Sequence, residues 1–247
     1  VHPDLVRLGL PGGERVVHSY GALLVLGCAV ALAVTAARAR PRGLARFDAF
    51  AAGLFAIVGG LVGAALLYIV VHWREMLASP AQLQPGLVFY GGLVGGLAGA
   101  ATYCRLYMIP LDRFADCAVP GLALGHAIGR VGCFLAGCCY GRPVAARFPL
   151  AVVLAGVPRH PVQLYEAAGL TLLGLVLLTL PPRRPGQLLT LYLSGYAVLR
   201  LFTESLRGDD EARGFLIPGL VSTSQALALA VLLAVLVVRY RQRRAAN

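Results

Sequence analysis

Apolar residues along this chain come in long runs rather than at the spacing of an amphipathic helix or a half-buried strand. Gly21–Val34, Phe50–Val71, Gly86–Gly99, Leu170–Leu180 and Ala226–Val238 are the clearest examples. A run of about 20 mainly apolar residues spans a bilayer core as a helix. The pattern predicts seven spans, at Val17–Ala37, Phe47–Val71, Gly86–Met108, Cys117–Ala136, Gln163–Leu180, Gln187–Glu204 and Phe215–Val238. The expected fold is therefore an all-α polytopic membrane protein, with residues 1–247 as one integral membrane domain. Residues 137–162 carry Pro143, Pro149, Pro158 and Pro161 and are expected to form a loop or small head. Gly91, Gly92, Gly95, Gly96 and Gly99 make small-xxx-small patterns, which let helices approach closely in lipid.

Composition agrees with this reading. The chain is 58% hydrophobic and 13% charged, against about 25% charged in globular proteins. A net charge of +11, carried by 22 arginines and no lysine, would suggest a nucleic-acid partner in a soluble protein. Here it reads as topology. The segments after the first, third, fifth and seventh spans hold twelve arginines, among them Arg38, Arg105, Arg183 and Arg239, against three acids. The opposite set holds eight arginines, offset by Asp4, Glu14, Glu75, Asp209, Asp210 and Glu211. The positive-inside rule puts the first set in the cytoplasm and the N-terminus outside, which makes 137–162 periplasmic. The first fifteen residues do not read as a cleavable signal peptide.

Arg130 and Arg200 are the two remaining arginines, and both fall within predicted spans. Ionisable groups inside a membrane are costly and mark functional sites by default. His126, Arg130 and Cys133 lie at i, i+4 and i+7, and Tyr196, Arg200, Glu204 and Arg207 at i, i+4, i+8 and i+11. Each set shares one helical face. Two such stripes at the outer ends of their helices point to a shared site for an anionic ligand, with helix-gluing ion pairs as the plainer alternative.

Residues 127–142 read AIGRVGCFLAGCCYGR. This segment resembles the signature of bacterial prolipoprotein diacylglyceryl transferases, G-R-I-G-N-F-x-N-x-E-x-x-G-R. His2-Pro3 with Tyr20-Gly21 is similar to that family's opening segment and its essential tyrosine, and residues 86–95, GLVFYGGLVG, to its third-span motif. His160-Pro161-Val162-Gln163-Leu164-Tyr165-Glu166 resembles its H-P-x-Q-L-Y-E. Gly195 and Tyr196 with Arg200, Glu204 and Arg207 resemble its G-Y-x-x-x-R-x-x-x-E-x-x-R. The resemblance implies a membrane transferase that moves the diacylglyceryl group of phosphatidylglycerol onto a prolipoprotein cysteine, releasing glycerol phosphate. Arg130 and Arg200 would stabilise the departing phosphate, since a preorganised clamp acts on developing charge. Glu204 would hold Arg200 in position, Tyr20 and Tyr196 would hydrogen-bond the head group, and Gly141 would allow close backbone approach. Tyr90, His126, Arg142, Arg207, Gln163 and Glu166 complete the expected binding set. No cofactor is implied.

The segment departs from the signature where chemistry would be expected. Cys133 and Ala136 replace the asparagines, Cys138 replaces the glutamate, and Tyr90 replaces a third-span histidine. Four readings stay open for Cys133, Cys138 and Cys139: tolerated small residues, Cys133 or Cys138 as a nucleophile activated by nearby arginines, thiol–disulfide chemistry between Cys133 and Cys138 in an oxidising compartment, or metal binding with His126, which no ligand spacing supports. No metal site is expected, because neither a CxxC pair nor an HxxxH pair is present. Cys28 and Cys104 read as small core residues.

Overall fold

The structure is a computed structural model and describes residues 3–10, 13–78, 88–154, 156–209, 214–217 and 220–246. His2, Gly86, Leu87, Asp210, Glu211 and Arg213, all used in the sequence argument, lie outside them. The chain divides into two compact units, one of Val1–Ala31 with Val119–Asn247 and one of Leu32–Ala118.

Among the described residues there are seven α-helices: α1 (Ser19–Ala37), α2 (Arg46–Ala78), α3 (Phe89–Leu106), α4 (Leu111–Ala136), α5 (Val162–Thr179), α6 (Gln187–Ser205) and α7 (Thr223–Ala246). Five of them, α1, α2, α4, α5 and α7, are long and apolar enough to cross a membrane. In α3 the glycines and Arg105 dilute the hydropathy, and in α6 the polar stripe does so. Many large apolar side chains on these helices face outward, such as Val58, Leu61 and Val70 on α2 and Leu233 and Leu236 on α7. Exposed apolar surface on this scale marks a protein whose solvent is lipid. This is a mostly helical membrane protein.

The fold is not purely helical. Among the described residues three small antiparallel hairpins accompany the helices: β1 (Asp4–Leu10) with β2 (Gly13–His18), β3 (Val152–Leu154) with β4 (Val157–Arg159), and β5 (Phe215–Ile217) with β6 (Val221–Ser222). The last corrects the expected seventh span, which was to begin at Phe215. In the sequence Pro218 and Gly219 follow β5, and Pro cannot supply the N–H that a continuing helix needs. Helix α7 begins only at Thr223. The first span is likewise shortened, because Val17 and His18 belong to β2.

The unit of Leu32–Ala118 is organised by α2 and α3. A Cβ built on Gly63 would stand 2.3 Å from the Gly91 carbonyl oxygen, and one on Gly95 would stand 2.2 Å from that of Gly59. Only hydrogen fits there, so the glycine pattern sets how closely the two backbones approach. A cluster of Ala52, Ala100, Tyr103, Cys104 and Phe114 fills the space beside this contact. The Tyr103 hydroxyl donates to Asp48 at 3.2 Å.

In the other unit, Gly27 of α1 meets Gly125 of α4 with the same intimacy, a Cβ on Gly27 falling 2.6 Å from the Gly125 oxygen. Its core is built from Val119, Ala123 and Ala127 of α4, Leu170 and Leu177 of α5, and Leu188 and Tyr192 of α6. The segment between α4 and α5 is stitched to the end of α6 by backbone bonds. Arg142 N donates to Leu206 O at 2.8 Å and Gly208 N to Tyr140 O at 3.1 Å, while Gly141 N donates to His160 O at 3.1 Å within the segment itself.

Candidate functional site

Connectivity gathers one end of each helix in this unit. Arg130 and Cys133 lie in the last two turns of α4, Glu166 in the second turn of α5, and Arg200 and Glu204 in the last turns of α6. Tyr20 opens α1 and Ser224 opens α7. Two stripes that the sequence could place only on separate helices therefore meet in space.

Glu166 is the hub. Its carboxylate is 1% exposed, and Arg130 Nη2 stands 2.8 Å from both of its oxygens. Arg200 Nη1 donates to Oε2 at 3.2 Å and the Tyr196 hydroxyl to Oε1 at 3.1 Å. His126 Nε2 is 3.9 Å away. Arg200 then bridges onward, with Nη2 at 2.6 Å from Glu204 and donating to Ser224 Oγ at 3.1 Å. Arg207 Nη1 lies 3.6 Å from Glu204, and its Nε donates to Asp209 at 2.8 Å. Three guanidiniums thus alternate with three carboxylates along one buried chain. Isolated ions at this depth would cost several kcal/mol each, so alternation is the arrangement that makes their burial tolerable.

The segment after α4 closes the site. Gln163, itself buried, donates through Nε2 to the Cys138 carbonyl at 2.6 Å. Its Oε1 and the Nε of Arg130 are buried with no hydrogen-bond partner among the described residues. Cys133, Cys138 and Cys139 bring their sulfurs within 4.8 Å of one another, and all are free thiols. Hydrogen bonds from Cys133 and Cys138 hold the Cys139 thiol well below the ordinary range against the effect of burial, and the Arg130 and Arg207 guanidiniums pull the same way. The same coupling pushes Cys138 up.

Other expected residues take more varied places. Tyr20 is 43% exposed and packs against Gly132, whose Cβ position lies 3.4 Å from the tyrosine ring. Together with Pro3, His18 and Cys138 it lines an open cleft of about 460 Å³. Gly141 does permit a close approach, but to the chain itself: a Cβ there would stand 2.4 Å from the His160 oxygen. Arg142 is exposed and its Nε donates to the Arg207 carbonyl at 3.2 Å. Tyr90 sits in the first turn of α3, in the unit of Leu32–Ala118, half-exposed against Phe89. Sequence reasoning cast Glu204 as the partner of Arg200 and left Glu166 in a supporting role, whereas Glu166 neutralises both clamp arginines. It did not pick out Ser224, and it read Asp209 only as a surface charge. It also found no metal-ligand spacing, because Cys-x4-Cys-Cys matches no familiar pattern until the backbone turns back on itself.

Fold and site together define a membrane protein whose helix ends enclose a buried arginine–carboxylate chain beside a group of thiols. Comparison with known proteins makes the assignment specific. The family described as prolipoprotein diacylglyceryl transferase matches residues 9–241. A phosphatidylglycerol–prolipoprotein diacylglyceryl transferase of Clostridium tetani is 33% identical over 86% of this chain and 88% of its own length. One of Clostridium perfringens, numbered 2, is 33% identical over 88% of each. One of Rhodospirillum rubrum is 36% identical over 84% of this chain and 80% of its own. The chain belongs to the prolipoprotein diacylglyceryl transferase family.

Proposed function

We propose that this protein is a transferase that moves the diacylglyceryl group of phosphatidylglycerol to the cysteine thiol of a prolipoprotein, as its relatives' names describe for them. The carrying observation is the pair of buried guanidiniums, Arg130 and Arg200, held by one shared carboxylate. In the reaction the acceptor sulfur, its thiol proton given up to water, attacks the glyceryl carbon bonded to the phosphate-ester oxygen. The carbon–sulfur bond forms, the carbon–oxygen bond breaks, and the electron pair leaves on glycerol phosphate. Charge grows on that phosphate in the transition state, and donors already fixed in a water-poor site stabilise it with little reorganisation. Arg130 Nε, which has no hydrogen-bond partner among the described residues, is available for this purpose, and Glu166 keeps its guanidinium oriented. Tyr196 and Gln163 offer further polar contacts, while Tyr20, His126, Arg142 and Arg207 complete the binding set by family resemblance.

The reading extends to topology. Seven spans with the N-terminus outside put the twelve-arginine segments in the cytoplasm. The site, with residues 137–162 as its periplasmic head, then opens outward from a bacterial inner membrane, where phosphatidylglycerol and exported precursors meet.

The test uses purified protein, phosphatidylglycerol vesicles and a lipobox-containing peptide, read by mass spectrometry of peptide and enzyme. A peptide gaining one diacylglyceryl group is the expected result. An unmodified peptide, beside an active relative carrying the standard signature, would refute the proposal. A lipid adduct on Cys133 or Cys138 with no modified peptide would instead favour covalent transfer to another acceptor.

A further inference from the structure

The three thiols form a feature that neither the arginine clamp nor the family signature accounts for. The backbone N–H of Cys138 donates to the Cys133 carbonyl at 3.2 Å, which turns the chain back directly after α4. Cys139 then adopts φ 58°, a left-handed conformation uncommon for any residue but glycine. Side chains of adjacent residues ordinarily diverge. Here the reversal brings Cys138 and Cys139 to the same place as Cys133, with all three sulfurs within 4.8 Å of one another. Zinc–thiolate bonds of about 2.3 Å in tetrahedral geometry require sulfurs roughly 3.8 Å apart. The observed group needs to contract by about 1 Å or less.

We propose that Cys133, Cys138 and Cys139 bind a thiophilic cation of the zinc class through three thiolates, and that its open fourth position takes the acceptor thiol. The first half stands on the cluster alone, while the second rests on the transferase reading. Three thiolates are a soft donor set that selects metals of this kind, and a site with three protein ligands and one open position is the arrangement of catalytic rather than structural zinc. With a divalent ion the unit carries one negative charge. The guanidinium of Arg130, which lies one helical turn before Cys133 on α4, offsets it. Cys138 is exposed on the cleft shared with His18 and Tyr20, so an incoming thiol has access. Gln163 holds the turn from beneath through the Cys138 carbonyl.

Such a site supplies what the altered signature lacks. Cys138 stands where the resembled signature has a glutamate and Tyr90 where it has a histidine, so neither position supplies that group. A thiol that coordinates a divalent metal is deprotonated outright. The acceptor would lose its proton to water on binding, and its sulfur would remain the nucleophile that displaces glycerol phosphate. No electrons are exchanged.

The experiment titrates reduced, metal-stripped full-length protein with cadmium as the spectroscopic probe. We expect one equivalent to bind with a thiolate-to-metal charge-transfer band, and zinc to displace it. Replacing any of the three cysteines by serine should weaken binding more than about tenfold, that is by over 1.4 kcal/mol, while Cys28→Ser leaves it unchanged. Absence of the band in the wild-type protein overturns the site. A lipobox peptide should then shift the band, and its Cys→Ser counterpart should not. Equal peptide modification before and after metal removal overturns the acceptor role. Metal binding without any peptide modification leaves the site standing and refutes the transferase reading instead.

Discussion

Glu166→Gln isolates the role of the hub with little change of shape. The amide retains the volume of the carboxylate but loses the charge that Arg130 and Arg200 share. It also turns one acceptor atom into a donor facing a guanidinium. Hydrogen bonds to a charged group contribute about 1.5–3 kcal/mol each, and removing one member of a buried ion pair costs about 3–5 kcal/mol. Glu166 is 1% exposed, so little of this is relieved by water. If the loss falls on phosphate stabilisation, kcat/KM drops about 10²–10⁴-fold. The assay is the initial rate of peptide modification across a range of phosphatidylglycerol concentrations, beside the thermal midpoint in detergent. A positioning role predicts that kcat falls and the KM for lipid rises, since both arginines lose their orientation. Glu166→Asp should recover part of the rate, because the charge returns even though the reach is shorter. Glu166→Gln with kcat/KM within threefold of wild type at an unchanged midpoint would refute the clamp as the seat of catalysis.

Other outcomes follow from the same geometry. Arg200→Lys keeps the charge but loses the planar fork that spans Glu166, Glu204 and Ser224, and we expect at least a tenfold loss of kcat/KM, about 1.4 kcal/mol. Gly141→Ala drives a methyl to 2.4 Å from the His160 oxygen, and should both lower the thermal midpoint and separate the thiol turn from α5, read as faster proteolysis of the 137–162 segment. Gly95→Val forces α2 and α3 apart at a 2.2 Å approach and should reduce the yield of folded protein in membranes, as measured by detergent-resistant monodispersity. With the Cys139 thiol held below its ordinary range and Cys138 pushed above it by their mutual hydrogen bonds, alkylation of Cys139 should persist well below the free-thiol pKa of about 8.5, while that of Cys138 falls about tenfold per pH unit. By linkage, a depressed folded-state pKa contributes stability that is present above the unfolded pKa and lost as pH falls through the folded one. Disulfide-free protein with both thiols alkylated at equal rates at pH 6 would contradict this order.

Much of the helical frame was legible because lipid imposes it. A run such as Phe50–Val71 has few alternatives to a helix when every backbone group must be satisfied internally, and α5 and α6 start and stop within a residue of the expected limits. The β-hairpins were not legible from hydropathy. Phe215–Ile217 is as apolar as the helix that follows, and Pro218-Gly219 was the signal that it turns first. The stripes on α4 and α6 could be read from helical spacing alone, since i and i+4 share a face wherever the helix lies.

Partnership was a different matter. That Arg130 and Arg200 answer to the same carboxylate depends on Glu166, in the second turn of α5, reaching side chains of both α4 and α6, and no spacing in the sequence carries that information. Three cysteines are visible as letters, but their convergence requires a left-handed Cys139 and a Gln163 side chain reaching across 25 positions to hold the turn. The sequence by itself determined a membrane protein with costly charges on two helical faces, because hydrophobicity and helix period are local properties. Tertiary structure alone decided which charges neutralise one another and where the thiols meet, because electrostatic and coordination chemistry act over a few ångströms of space, whatever the distance along the chain.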